Sequence, residues 1–177
     1  ALELGAIINL DDITHIDYLE KNAGLPKCLS FRYNPADIMN EGNDIIGKPA
    51  EAKYGLTRKQ ILEAYKISRD KGVKRFGLHT MVASNERGIG TFLLTAKIMF
   101  ELAVEIKNKV GIELEFINLG GGIGIPYRPE QKPVDLAAVG EGIHKLYDEI
   151  LIKNNLRPRL AMESGRAMTG DAGWLVS

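Results

Sequence analysis

Five short apolar runs recur along this chain, and the first four are each followed by enough sequence for a helix. The runs lie at 6–10, 28–33, 74–81, 112–119 and 159–163. Asp11 or Asp12 opens the first helix, which carries Ile13, Ile16, Tyr18 and Leu19 and stops near Gly24. Thr57 opens the second, with Ile61, Leu62 and Tyr65 on one face and Gly72 at its close. A long helix over 90–109 shows Phe92, Leu93, Ala96, Met99, Phe100, Ala103 and Ile106 as its stripe, and Gly111 ends it. Asp135 caps the last, which carries Leu136, Val139, Ile143, Leu146, Tyr147 and Ile150. Such alternation predicts an α/β fold with a parallel sheet and helical crossovers. No Gly-x-Gly-x-x-Gly follows the first run, which argues against a dinucleotide fold.

The expected architecture is therefore part of a (β/α)8, TIM-like barrel. A full barrel takes roughly 250 residues, so five strands are a portion of one and the others are expected upstream. Residues 1–5 read as the last turn of a helix with Gly5 closing it, and residues 173–177 open another apolar strand. On this reading 1–172 is a portion of the barrel domain and 173–177 begins a second, β-rich domain. The stretch 34–56 has neither helical nor strand period, and a connection of that length is expected to be functional.

Charge narrows the partners. Lys plus Arg number 23 and Asp plus Glu 23, for a formal net charge of zero. That excludes a general basic footprint for nucleic acid or acidic membranes. No apolar run reaches the ~18 residues of a membrane span. The single cysteine, Cys28, forms no internal disulfide and reads as a core residue, no Cys/His cluster has zinc spacing, and the expected compartment is the cytoplasm. His15 and His144 on helices, and the run Glu101, Glu105, Lys107 and Lys109, read as solvated surface.

In barrels of this kind, ligands sit where the strands end. There the chain places Arg32-Tyr33-Asn34-Pro35, then His79 through Asn85, then Asn118-Leu119-Gly120-Gly121-Gly122-Ile123-Gly124, then Glu163-Ser164-Gly165-Arg166. Three successive glycines let backbone N–H groups turn inward and approach an anion, phosphate being the usual guest. The bland alternative is a tight turn without a ligand. Glu163 and Arg166 offer an acceptor and a fork-shaped donor within one turn, suited to a carboxylate or phosphate or to a rim ion pair. His79 is either a satisfied core histidine or a ligand contact. Ser84 either caps the next segment or bonds a phosphate.

These motifs, with Lys53-Tyr54-Gly55, Gly77-Leu78-His79, Ala83-Ser84 and Tyr127, occur in the order found in a known family. The chain resembles the fold type III decarboxylases that use pyridoxal phosphate, and among them the diaminopimelate decarboxylases. The resemblance implies pyridoxal 5′-phosphate held at the strand ends. Gly120, Gly121 and Gly122 match the phosphate loop, and Ser84 a serine near the phosphate. Glu163 matches the acid paired with the pyridine nitrogen, and Arg166 an arginine that contacts cofactor and substrate carboxylate. A carboxylate beside that nitrogen keeps it protonated, so the ring can accept electrons as CO₂ departs.

Ser164 stands where the family usually has Pro. Met81 and Ala83 stand where its usual His-x-His-x-Gly-Ser run has the second His and the Gly. Met81 is a candidate ring contact through its polarizable sulfur. The lysine that holds the cofactor covalently is expected upstream of Ala1, so this stretch alone is expected to be inactive. The implied function is decarboxylation of meso-diaminopimelate to L-lysine by a homodimer. The alternatives are a relative acting on ornithine, arginine or carboxynorspermidine, and a non-catalytic pyridoxal phosphate binder.

Overall fold

Local hydrogen bonds start the helices where the sequence places them, with one exception. In the computed structural model, which describes residues 1–35, 54–170 and 172–173, Thr57 and Gln60 form a reciprocal capping box. That box opens α2 (Arg58–Asp70). Asp135 accepts from the Ala138 N–H at 3.0 Å and opens α4 (Leu136–Leu146). The exception is α1 (His15–Ala23), which starts later than Asp12 suggests. The Asp12 carboxylate takes the Thr14 N–H at 2.8 Å, which builds a turn and leaves Thr14 at the cap position. The long α3 (Ile89–Val110) ends at Gly111, whose φ of 73° closes the helix in the left-handed region. Residues 36–53, with Lys48 and Lys53, and residues 174–177 lie outside the described residues.

The strands are β1 (Ile8–Leu10), β2 (Cys28–Arg32), β3 (Arg75–His79), β4 (Phe116–Asn118) and β5 (Arg159–Ala161). All four pairings are parallel and the sheet order is β1-β2-β3-β4-β5. Every strand therefore pairs with its neighbour in sequence. A doubly wound sheet would break that order at a switch point, whereas a barrel wall keeps it. The paired segments are shorter than the apolar runs. Ile112 and Leu114 are buried yet precede β4, so their apolarity reports burial between helix and sheet, not strand pairing.

Alternation along each strand sorts residues onto two faces. Leu29, Phe31, Phe76, Leu78 and Ile117 turn outward toward the helices and are almost wholly buried. Tyr65 of α2 meets Phe31 and Phe76 edge-on, with centroids 5.0 and 5.6 Å away. The inner face reads differently. One register row joins Asn9, Ser30, Gly77, Phe116 and Arg159, and the next inward row joins Arg32, His79, Asn118 and Ala161.

Two readings need correction, Glu105 as solvated surface and Cys28 as core. Glu105 is not fully solvated: its side chain is 14% exposed and pairs with Arg58 and Lys109, tying α3 to α2. Cys28 is only half-buried. His15 and His144 are exposed beside Asp11 and Asp148, as read. The helix after Asp135 is also not uniform. It passes at Tyr147–Leu151 into a π turn, then into a 3-10 turn at Ile152–Asn154. There the Tyr147 ring meets Phe100 edge-on and its hydroxyl donates to the Pro158 carbonyl at 3.0 Å.

Gly77 is the tightest point of the wall. A Cβ there would lie 2.0 Å from Cζ of Phe116, whose ring covers the glycine. On its other side the Tyr65 hydroxyl donates to the Gly77 carbonyl at 2.6 Å. Gly77→Ala should therefore cost about 1–3 kcal/mol of stability by overpacking. Adding Phe116→Leu should recover much of the loss. A urea-denaturation double-mutant cycle measures both, and additive losses would show that the ring is not the obstacle.

Candidate active site at the strand ends

The glycine run leaves β4 wedged between two neighbouring strand exits. A Cβ on Gly120 would lie 2.2 Å from the Thr80 carbonyl oxygen, and one on Gly122 2.1 Å from that of Ala83. A Cβ on Gly121 would lie 1.9 Å from the Glu163 carbonyl oxygen. Gly120 and Gly122 also carry φ of 72° and 82°. Glycine is thus demanded by backbone packing on both sides as well as by conformation. Glu163 donates its N–H to the Gly120 carbonyl and Glu86 donates its N–H to that of Gly122, both at 2.8 Å. These bonds join the exits of β3, β4 and β5. Ser84 sits in the β3 exit, its backbone nitrogen 3.0 Å from where a Gly122 Cβ would be.

The N–H groups of this turn have identifiable partners. That of Gly120 goes to Asn118 Oδ1 at 2.9 Å, and that of Gly121 to Met81 Sδ at 3.3 Å. A thioether is a weak acceptor, which an anion outcompetes. The Met81 carbonyl accepts from Arg32 Nη2 at 3.2 Å, which holds the loop against β2.

Glu163 lies just beyond β5 with its side chain half-exposed. It lines an inner-face cavity of about 580 Å³ together with Asn9, Ser30, His79 and Asn118. Asn118 Nδ2 donates to Glu163 Oε1 at 2.9 Å. His79 Nε2 lies 3.4 Å from the same oxygen, buried and without an aligned hydrogen bond, while Nδ1 receives the Asn9 amide at 3.2 Å. His79 is thus a wall residue of the cavity, satisfied at Nδ1 and not at Nε2 among the described residues.

Glu163 and Arg166 do not pair among the described residues. Arg166 lies on α5 (Gly165–Thr169), a short helix not visible in the sequence pattern, and donates to the Tyr127 hydroxyl. Its guanidinium carbon lies 5.9 Å from the Tyr127 ring centroid. Ser164 has φ of −126°, away from the value near −65° that proline imposes, so this turn has its own backbone course. Sequence reasoning did not name Asn9, and it named Asn118 only as the start of the glycine run, without a role of its own. Strand parity was the available signal, because both occupy inward positions at or near strand ends.

Residues 3–170 match the family described as pyridoxal-dependent decarboxylase, pyridoxal binding domain. The chain belongs to this family. It is 32% identical over 177 residues to protein TabA of Pseudomonas amygdali pv. tabaci, covering all of this chain and 41% of that protein. It is 31% identical over 178 residues to the diaminopimelate decarboxylase of Methanothermobacter thermautotrophicus, covering all of this chain and 42% of that one. Diaminopimelate decarboxylase from Helicobacter pylori, solved in complex with L-lysine, superposes with a TM-score of 0.80 at 22% identity. That match covers 95% of this chain and 42% of the other. The chain thus spans about two fifths of the length of the relatives it matches.

The residues of this pyridoxal-binding domain fit the cofactor. Side chains are excluded from the glycine turn by its neighbours, and its Gly121 N–H is held only by sulfur. The Glu163 carboxylate faces the cavity beside a buried histidine nitrogen with no hydrogen-bond partner among the described residues. No cluster of three or more metal-ligating side chains occurs among the described residues, and none of their helices is long and apolar enough to cross a membrane.

Burial holds the His79 imidazole below its ordinary 6.5; Glu163 nearby pulls it up and Arg32 pushes it down. A histidine with a depressed folded pKa contributes stability that is complete above pH 6.5 and is lost as pH falls from there through the folded value. Urea denaturation between about pH 7.5 and 5.5 should therefore show stability falling toward acid, with a smaller fall in His79→Gln. An unchanged slope in the variant would remove His79 as the source.

Proposed function

We propose that the full-length protein carrying this chain decarboxylates meso-diaminopimelate to L-lysine, with pyridoxal 5′-phosphate at the ends of β3, β4 and β5. The observation that carries this reading is the Glu163 carboxylate, facing the inner cavity and joined through Asn118 to the glycine turn. The diaminopimelate decarboxylase relative at 31% identity supports the substrate. Bound pyridoxal phosphate supplies a ring that accepts the electron pair left behind as CO₂ departs. In the glycine turn Gly121 and Gly122 bind the phosphate through backbone N–H groups, Gly120 holds the turn through its bond to Asn118, and Ser84 lies beside them. Glu163 holds a proton on the pyridine nitrogen. Arg166 contacts the cofactor and the substrate carboxylate, exchanging Tyr127 for an anionic partner. The working protein is proposed to be a cytoplasmic homodimer.

The test uses the full-length protein with pyridoxal phosphate. CO₂ release from meso-diaminopimelate is the expected result. Release from ornithine, arginine or carboxynorspermidine instead would move the substrate within the family, and cofactor binding without turnover on any of them would overturn the reading. Glu163→Gln should keep the cofactor and lower kcat by at least about tenfold, because the ring nitrogen loses its anionic partner. Wild-type kcat in that variant would remove Glu163 from the role.

A further inference from the structure

Asn118 does two things at once. Its Oδ1 accepts the Gly120 N–H and its Nδ2 donates to Glu163 Oε1, both at 2.9 Å. One planar amide thus spans the phosphate-facing turn and the carboxylate. Asn118 is also paired with His79 in the β3–β4 register, and His79 Nε2 lies 3.4 Å from that same Oε1. The Asn9 amide at Nδ1 makes that nitrogen the acceptor, which places the ring proton on Nε2, close to Oε1 but not aligned with it. Oε1 thus takes its hydrogen bond from Asn118, with the His79 ring beside it.

We propose that Asn118 is the positioning residue of this site, engaging Glu163 through Oε1 so that Oε2 is the oxygen presented to the pyridine nitrogen, and fixing the distance between carboxylate and phosphate turn. The inference rests on the reading of Glu163 given above. It accounts for two features that reading leaves aside. An asparagine occupies the inward end of β4, where an apolar residue would fill a barrel layer. Its amide also uses both an acceptor and a donor, which an aspartate, leucine or serine cannot do in the same geometry.

The charged groups around Glu163 are His79 on β3, Arg32 on β2, which acts on His79, and Arg166 on α5, which is turned to Tyr127. Against that background, Asn118→Asp keeps an acceptor for Gly120 but loses the donor and puts a like charge beside Oε1. Like charge raises a carboxyl pKa. Asn118→Leu removes both bonds.

The full-length protein should be titrated with pyridoxal phosphate by fluorescence and assayed with meso-diaminopimelate across pH. Asn118→Asp should bind cofactor within about threefold of wild type, with kcat at least about tenfold lower, KM unchanged, and the acidic limb of the kcat profile about one pH unit or more higher. Asn118→Leu should in addition lose at least about tenfold in cofactor affinity. Wild-type kcat and acidic limb in Asn118→Asp would overturn the inference while leaving the function intact. Parallel loss of cofactor and thermal stability in both variants would reduce Asn118 to a structural residue and overturn it equally. A wild-type protein that binds no pyridoxal phosphate would fail the functional reading first, and this inference with it.

Discussion

A missing methyl group at Gly121 sets the geometry of this strand-end site. Any Cβ there would overlap the Glu163 carbonyl, so the β5 exit closes on the glycine turn only because the position is glycine. Gly120 and Gly122 make the same close approach to the β3 exit on the other side. Three separate strand ends thus behave as one packed unit, cross-linked by the Glu163 and Glu86 amides. Interiors at crystal-like density transmit displacement instead of absorbing it. A shift of the turn is therefore a shift of Glu163, so the turn and the carboxylate keep a set separation without a dedicated rigid element.

The inner face of the wall is polarised along the barrel axis. At the N-terminal ends of the strands, Glu115 pairs with both Arg75 and Arg159, and those partners hold its carboxyl below the usual range. Charge there is matched within the protein. Toward the C-terminal ends the balance reverses. His79 Nε2 there, Ser30 Oγ at mid-strand and Ser68 Oγ on α2 are buried without hydrogen-bond partners among the described residues. Each such group costs about 1–3 kcal/mol. Ser30 and His79 line the inner-face cavity, where a ligand can satisfy them, whereas Ser68 carries its cost in the helix layer.

The wall was legible in the sequence because its outer face is apolar wherever a strand runs. Leu29, Phe31, Phe76, Leu78 and Ile117 announce burial, and Thr57, Asp135 and Gly111 punctuate the helices by local hydrogen bonds or backbone preference. What stayed hidden depends on partners distant in sequence. Glu105 looks like one charge in a solvated run until Arg58, 47 residues away, arrives beside it. Glu163 and Arg166 look like a pair because they are three residues apart, yet a short helix turns Arg166 to Tyr127. The glycine run could be read as an anion nest, but its close contacts with Thr80, Ala83 and Glu163 belong to tertiary packing. Asn118 carries no motif of its own, and only the register that sets it beside His79 gives it meaning.

Met81 shows how a departure from the usual family pattern is accommodated. Histidine at this position would bring a ring and a second titrating group into the β3 exit. Methionine brings neither, and its sulfur rests 3.3 Å from the Gly121 nitrogen. The N–H group is thereby shielded without being strongly held, since sulfur is a poor acceptor beside a phosphate oxygen, whose charge-assisted bonds are roughly twice as strong as neutral ones. On the function proposed above, exchange of sulfur for phosphate would be favourable at the turn. The methionine side chain is unbranched and polarizable, the properties that make it a candidate ring contact in the sequence. Its main-chain carbonyl is tied to Arg32, which anchors the loop that carries Ser84 to β2.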